Sequence, residues 1–154
     1  MQSPETCPEC GADWSDGQTC QDRFHQMLFW EAERPEIGVV HHLMVLCHHL
    51  QHPSLYSEDG LRYSRKLLDD FVANGVTPEE ARRRNREAVS SENRHWKVTA
   101  RPDSVGAYER PIHWTMTSAD VVARGIDNYV HSVGEWAQSV YDALRAADEA
   151  DARS

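Results

Sequence analysis

Apolar positions recur at helical spacing along most of the chain, and polar breaks divide them into segments. Thr19 and Asp22, three residues apart, form a capping-box signature that opens a helix to about Glu33. Its apolar stripe is Phe24, Met27 and Leu28, and Cys20 and Glu31 fall on the same face. Arg34, Pro35 and Gly38 interrupt the pattern. A second helix is predicted over residues 39–51, stopped by Pro53, with Val39, Val40, Leu43, Leu46, Cys47 and Leu50 on its apolar face. Helical spacing sets His41, His48 and His52 opposite that face, and His42 and His49 on its edge.

Ser57, followed by Glu58 and Asp59, starts a third helix that buries Leu61, Leu68, Phe71 and Val72 and ends at Asn74 and Gly75. Thr77-Pro78-Glu79-Glu80 opens a fourth, running to about Val89. Residues 96–99 and 114–117 alternate like short strands, so a small hairpin is expected there. Thr117 and Asp120 cap a short helix that stalls at Gly125. Ile126, Val130, Val133, Ala137, Val140 and Leu144 then define the inward stripe of a long closing helix. Beyond Ala147 the acidic tail is expected to fray.

The fold class is therefore mainly α: a helical bundle with an N-terminal knuckle and a small irregular or β-hairpin insertion. A single domain over 1–154 divides into a knuckle segment (1–19), a helical hairpin (20–53), middle helices (57–90), the insertion (95–117) and C-terminal helices (118–148). Its 154 residues suit one core. The longest apolar run, residues 43–47, is far too short for a membrane helix, so no membrane partner is expected. A formal charge of −9 argues against nucleic acid, whose phosphates demand clustered Lys and Arg. The basic run Arg82, Arg83, Arg84 and Arg86 reads as a solvated face. Trp96, Trp114 and Trp136 read as core residues. No phosphate loop, dinucleotide fingerprint, Ser-His-Asp order or HExxH zincin signature is present.

Nine histidines and four cysteines change the picture. The N-terminal stretch is polar and acidic, unlike a secretory signal, so a reducing cytoplasm is the expected compartment. In that compartment Cys7-Pro8-Glu9-Cys10-Gly11 reads as a metal knuckle presenting two thiolates. The polar residues on both sides do not supply the strand and helix of a thioredoxin-like motif. A short break between the first two helices makes them antiparallel, pairing positions whose numbers sum to about 71–73. Cys20 then lies beside Gln51 and His52, at the knuckle's end, while Trp30 and Glu31 lie beside His42 and His41. Cys7, Cys10, Cys20 and His52 make a Cys3His set suited to Zn2+. His25 and His42 are the alternative fourth ligands. Cys47, on the apolar face, is expected to be dispensable for metal. Glu31, a carboxylate on an apolar stripe, is expected to pair with His42, as an acid–base pair or as a polar contact fixing helix register. His41 and His48 read as surface residues.

CPECG, Cys20 and HHLMVLCHHLQHP together resemble an uncharacterised bacterial family of small proteins with no assigned activity. Its motif falls on Cys7, Cys10, Cys20, His42, Gln51, His52 and Pro53. Two further elements resemble residues 116–121 and 136–140. The resemblance implies that His42 and His52 matter alongside the cysteines, and it implies no reaction.

Two functions follow. The first is a zinc-stabilised regulatory or partner-binding module, since four protein ligands leave no open position. The second is a small metal-dependent hydrolase or transferase using the histidine-rich hairpin, similar in outline to DinB-like proteins. The partner, protein or small molecule, is not specified by the sequence.

Overall fold

The computed structural model describes residues 5–77, 79, 80, 83 and 106–153. Helix α1, Cys20–Glu33, begins where expected, because Thr19 and Asp22 satisfy each other's backbone N–H groups. The break that follows is not a loop. Pro35–Val40 winds as a 3-10 helix, and α2 proper is His41–Leu50. Pro35 fits the first turn, where its missing N–H costs nothing, and Gly38 disfavours a regular α-helix. Val39, inward by periodicity, sits on this tighter turn and is 40% exposed.

Helix α3, Glu58–Ala73, is capped by the Ser57 hydroxyl, which accepts from the Gly60 N–H at 3.0 Å. It buries Leu61, Leu67 and Leu68, while Phe71 and Val72 are half-buried against the same core. The Glu80 N–H donates to the Thr77 hydroxyl at 3.2 Å, the cap read from the sequence. The rest of that helix, residues 96–99 and most of the arginine run lie outside the described residues. Residues 114–117 form no strand and belong to an irregular segment, 106–117.

That segment is laced onto the end of α2. The Gly106 N–H donates to the Tyr56 carbonyl at 2.7 Å, and the Tyr108 hydroxyl donates to the Leu50 carbonyl. The approach at Gly106 leaves no room for a side chain: a Cβ there would sit 2.8 Å from the Pro53 carbonyl oxygen. Gly106→Ala is therefore expected to destabilise the fold by about 1–3 kcal/mol, read as a lower urea midpoint with unchanged slope.

Helix α4, Ser118–Arg124, carries the Thr117/Asp120 capping box and stops at Gly125, whose φ of +85° suits glycine. Helix α5, Tyr129–Arg153, closes the bundle against α2, α3 and α4. Its inward stripe is Tyr129, Val133, Trp136, Ala137, Val140 and Leu144. Val130 is displaced from that stripe and is 40% exposed, because the larger Tyr129 ring takes the interior position. The helix continues past Ala147 to Arg153, with Asp148 paired to Arg65 on α3 at 2.7 Å, so the tail does not fray there.

Gln51 is the polar centre of this core. Wholly buried, it donates from Nε2 to the Met116 carbonyl at 2.7 Å and accepts from the Trp136 indole N–H at 3.1 Å. One amide thus joins α2, the irregular segment and α5.

Candidate metal centre

The knuckle folds on its own backbone. The Cys7 N–H bonds the Ala12 carbonyl and the Gly11 N–H bonds the Cys7 carbonyl, both at 2.9 Å, while Thr6 and Asp13 bridge across the turn. Gly11 turns the chain with a φ of +78°, which a residue with a Cβ rarely adopts. Two contacts dock the knuckle. The Arg23 guanidinium donates to the Asp13 carbonyl at 2.6 Å, and the Glu9 carboxylate accepts the Ser54 N–H at 3.2 Å. Cys20, the first residue of α1, and His52, just beyond α2, then converge on Cys7 and Cys10.

All four side chains are buried, and their donor atoms lie within 4.8 Å of one another. Cys7 Sγ is 3.5 Å from His52 Nε2, and Cys10 Sγ is 3.5 Å from Cys20 Sγ. Tetrahedral zinc, with bonds near 2.0–2.3 Å, sets its ligand atoms about 3.5–3.8 Å apart. The surroundings prepare these atoms for a cation. His52 Nδ1 lies 2.6 Å from the His48 carbonyl, which can only accept, so Nδ1 carries a proton and Nε2 is the atom turned toward the sulfurs. The Trp14 indole N–H donates to Cys20 Sγ at 3.3 Å, and the Cys10 N–H donates to Cys7 Sγ at 3.4 Å, the second favouring a Cys7 thiolate.

Crowding several acidic groups around one point drives their proton affinities apart. Hydrogen bonds with Cys10 and Cys20 push the Cys7 thiol well below its ordinary range. Hydrogen bonds with Cys20 and Cys7 hold Cys10 protonated, far above it. Burial disfavours a charged His52, yet its hydrogen bonds to Cys20 and Cys7 raise it to about 10. A dication among these groups would remove the need to share protons, which is what this donor set is suited to do.

The remaining candidates fall elsewhere. His25 is exposed and bonded to Gln21 at 3.0 Å, one turn along α1 and away from the cluster. His42 is half-buried with its ring edge-on to His41. Cys47 is fully buried in the apolar core, and burial pushes its thiol up.

Glu31 pairs with His41, not His42: Nδ1 of His41 donates to Oε1 at 2.6 Å, and the Tyr129 hydroxyl donates to the other carboxylate oxygen. The 3-10 segment advances further per residue than an α-helix, so α2 enters rotated relative to an uninterrupted helix. His48 also departs from its surface reading. It is buried, stacked 4.5 Å from Phe24 with the tilted His52 ring 4.5 Å away, and burial lowers it to about 3. Phe24 of α1 and the His52 ring cover His48, which periodicity within α2 cannot reveal. Trp14 had no spacing signal, the spacing of His48 pointed outward, and Tyr129 shares the helical spacing of Val133, Trp136 and Val140; Gln51 was marked only by the family resemblance.

The fold and site define a mainly helical protein with a buried Cys3His cluster compatible with a metal ion. The chain belongs to a family of unknown function, DUF5946, whose model matches residues 5–145. No curated protein and no solved structure matches the chain.

Proposed function

We propose that Cys7, Cys10, Cys20 and His52 hold one zinc ion in a closed, structural site, and that the chain works as a cytoplasmic regulatory or partner-binding module. The observation that carries this reading is the convergence of four buried donor atoms within 4.8 Å. Three thiolates and one imidazole suit zinc over hard cations such as magnesium or calcium, which prefer oxygen donors. The His48 carbonyl and the Trp14 indole act as an outer shell that orients His52 and Cys20. No described helix is long and apolar enough to cross a membrane.

The metalloenzyme reading draws less support. Glu31, its leading acid–base candidate, is eleven residues along α1 from Cys20, about 16 Å at 1.5 Å rise per residue. It lies too far from the cluster to handle protons at a bound substrate.

Cobalt substitution tests the reading in protein purified without a histidine tag. A closed site gives intense thiolate-to-cobalt absorption that azide and cyanide leave unchanged. A spectrum shifted by either anion would reveal an exchangeable position and return preference to the enzyme. His52→Ala is expected to open that position; an unaltered cobalt spectrum in this variant would remove His52 from the shell.

A further inference from the structure

The far end of the α1–α2 hairpin carries a second feature, unconnected with the cysteines. A shallow groove of about 640 Å3 runs along the 3-10 turn, walled by Leu28, Ala32, Pro35 and Val39. Glu31 and Glu36 supply carboxylates to its lining. Among the described residues, four large apolar side chains are clearly exposed, and three belong to elements meeting at this end: Phe29 (58%), Val39 (40%) and Val130 (40%). The fourth, Leu55, lies beside the metal centre.

Charge here has one dominant sign. Glu33, Glu36 and Asp127 are exposed, and the adjacent Arg34 guanidinium is already paired with Asp127 at 2.8 Å. No lysine or arginine lines the groove. Glu31 is already held by the Tyr129 hydroxyl and paired with His41, which also lines the groove, so Glu36 is the exposed carboxylate of the lining.

We propose that this groove docks a short basic segment of a partner protein, an aliphatic or aromatic anchor packing against Leu28 and Val39 with a neighbouring lysine or arginine facing Glu36. The proposal rests on the reading of the chain as a binding module and gives that module its surface. The apolar walls provide contact area, and the acidic rim selects sign and speeds encounter. An acidic or polyanionic partner is excluded by the same charges.

The test is selection of short random peptides displayed on phage against the metal-loaded chain, followed by fluorescence anisotropy with the enriched peptide. Enriched sequences are expected to place Lys or Arg beside Leu, Ile or Phe. Val39→Asp is expected to weaken binding about tenfold or more, the scale of a moderate interface anchor. Because Val39→Asp makes the chain more negative, indiscriminate attraction of a basic peptide would leave binding unchanged or tighter, and that result overturns the proposal. Glu36→Lys should weaken binding as well, whereas Leu55→Asp should not. All three positions are exposed; circular dichroism and metal content are expected to match wild type. Enriched peptides indifferent to Val39→Asp would leave a binding module but remove this groove. No enrichment would remove both. Concentration-dependent dimers dispersed by Val39→Asp would assign the groove to a second copy of the chain, also against the proposal.

Discussion

Cys10→Ser is expected to release the metal and lower the melting temperature by roughly 10–20 °C, the scale of losing on the order of 5 kcal/mol from a domain of this size. The loss has two parts. The first is binding free energy that becomes folding free energy, because no preformed site exists in the unfolded chain. The second is the orphaning of what remains. Cys7, Cys20 and His52 stay buried with their donor atoms aimed at a point that no longer holds an ion. A chelator strong enough to strip wild-type protein should reproduce the shift, and restoring zinc should reverse it only in wild type. Cys47→Ala is the control. It removes a thiol of the apolar core and should retain full metal content at a modest cavity cost. Equal melting of Cys10→Ser and wild type would separate metal from folding and defeat the structural reading.

Gln51→Leu is expected to cost about 2–4 kcal/mol while leaving metal content intact. Leucine fills a similar volume, so the damage is electrical. The Trp136 indole N–H and the Met116 carbonyl lose their partner in an interior that water does not reach. Adding Trp136→Phe removes one orphaned donor together with its partner, so the double variant should be more stable than the two single costs predict. The metal should remain because His52, although adjacent in sequence, is held by the His48 carbonyl and not by Gln51. Urea titration with metal analysis on the same samples checks both halves. Metal loss in Gln51→Leu would show that the core and the cluster are one cooperative unit.

Both Thr-Asp capping boxes, the stop at Gly125 and the capped start of α3 were legible because each depends on atoms within four residues of chain. The Cys3His cluster was legible for a different reason. A short break forces antiparallel helices, and pairing positions by their sum brings Cys20 to His52 whatever the details of the turn. The same pairing brought Glu31 to the first turn of α2 but pointed to His42, where the structure has His41. That choice depends on helical phase, and six residues of 3-10 helix decided for His41.

Where the sequence misled, the cause was a neighbour distant along the chain. His48 looks solvated because α2 has an apolar stripe on its other side, and it is buried because Phe24 of α1 covers it. Val130 fits an inward spacing as well as Tyr129 does, and the interior accepted the larger ring, whose hydroxyl also reaches Glu31. Segments 106–117 and 50–56 carry no shared pattern, yet Gly106, Tyr108 and Gln51 bind them together through backbone carbonyls that every residue possesses. Local sequence therefore determined the described α-helices, most of their ends and the convergence of Cys7, Cys10, Cys20 and His52, since capping, periodicity and short connections act within a few residues. The tertiary structure decided which face of each helix is covered twice, which histidine meets Glu31 and where the buried amide finds its partners, because those outcomes depend on the phase and packing of elements far apart in the chain.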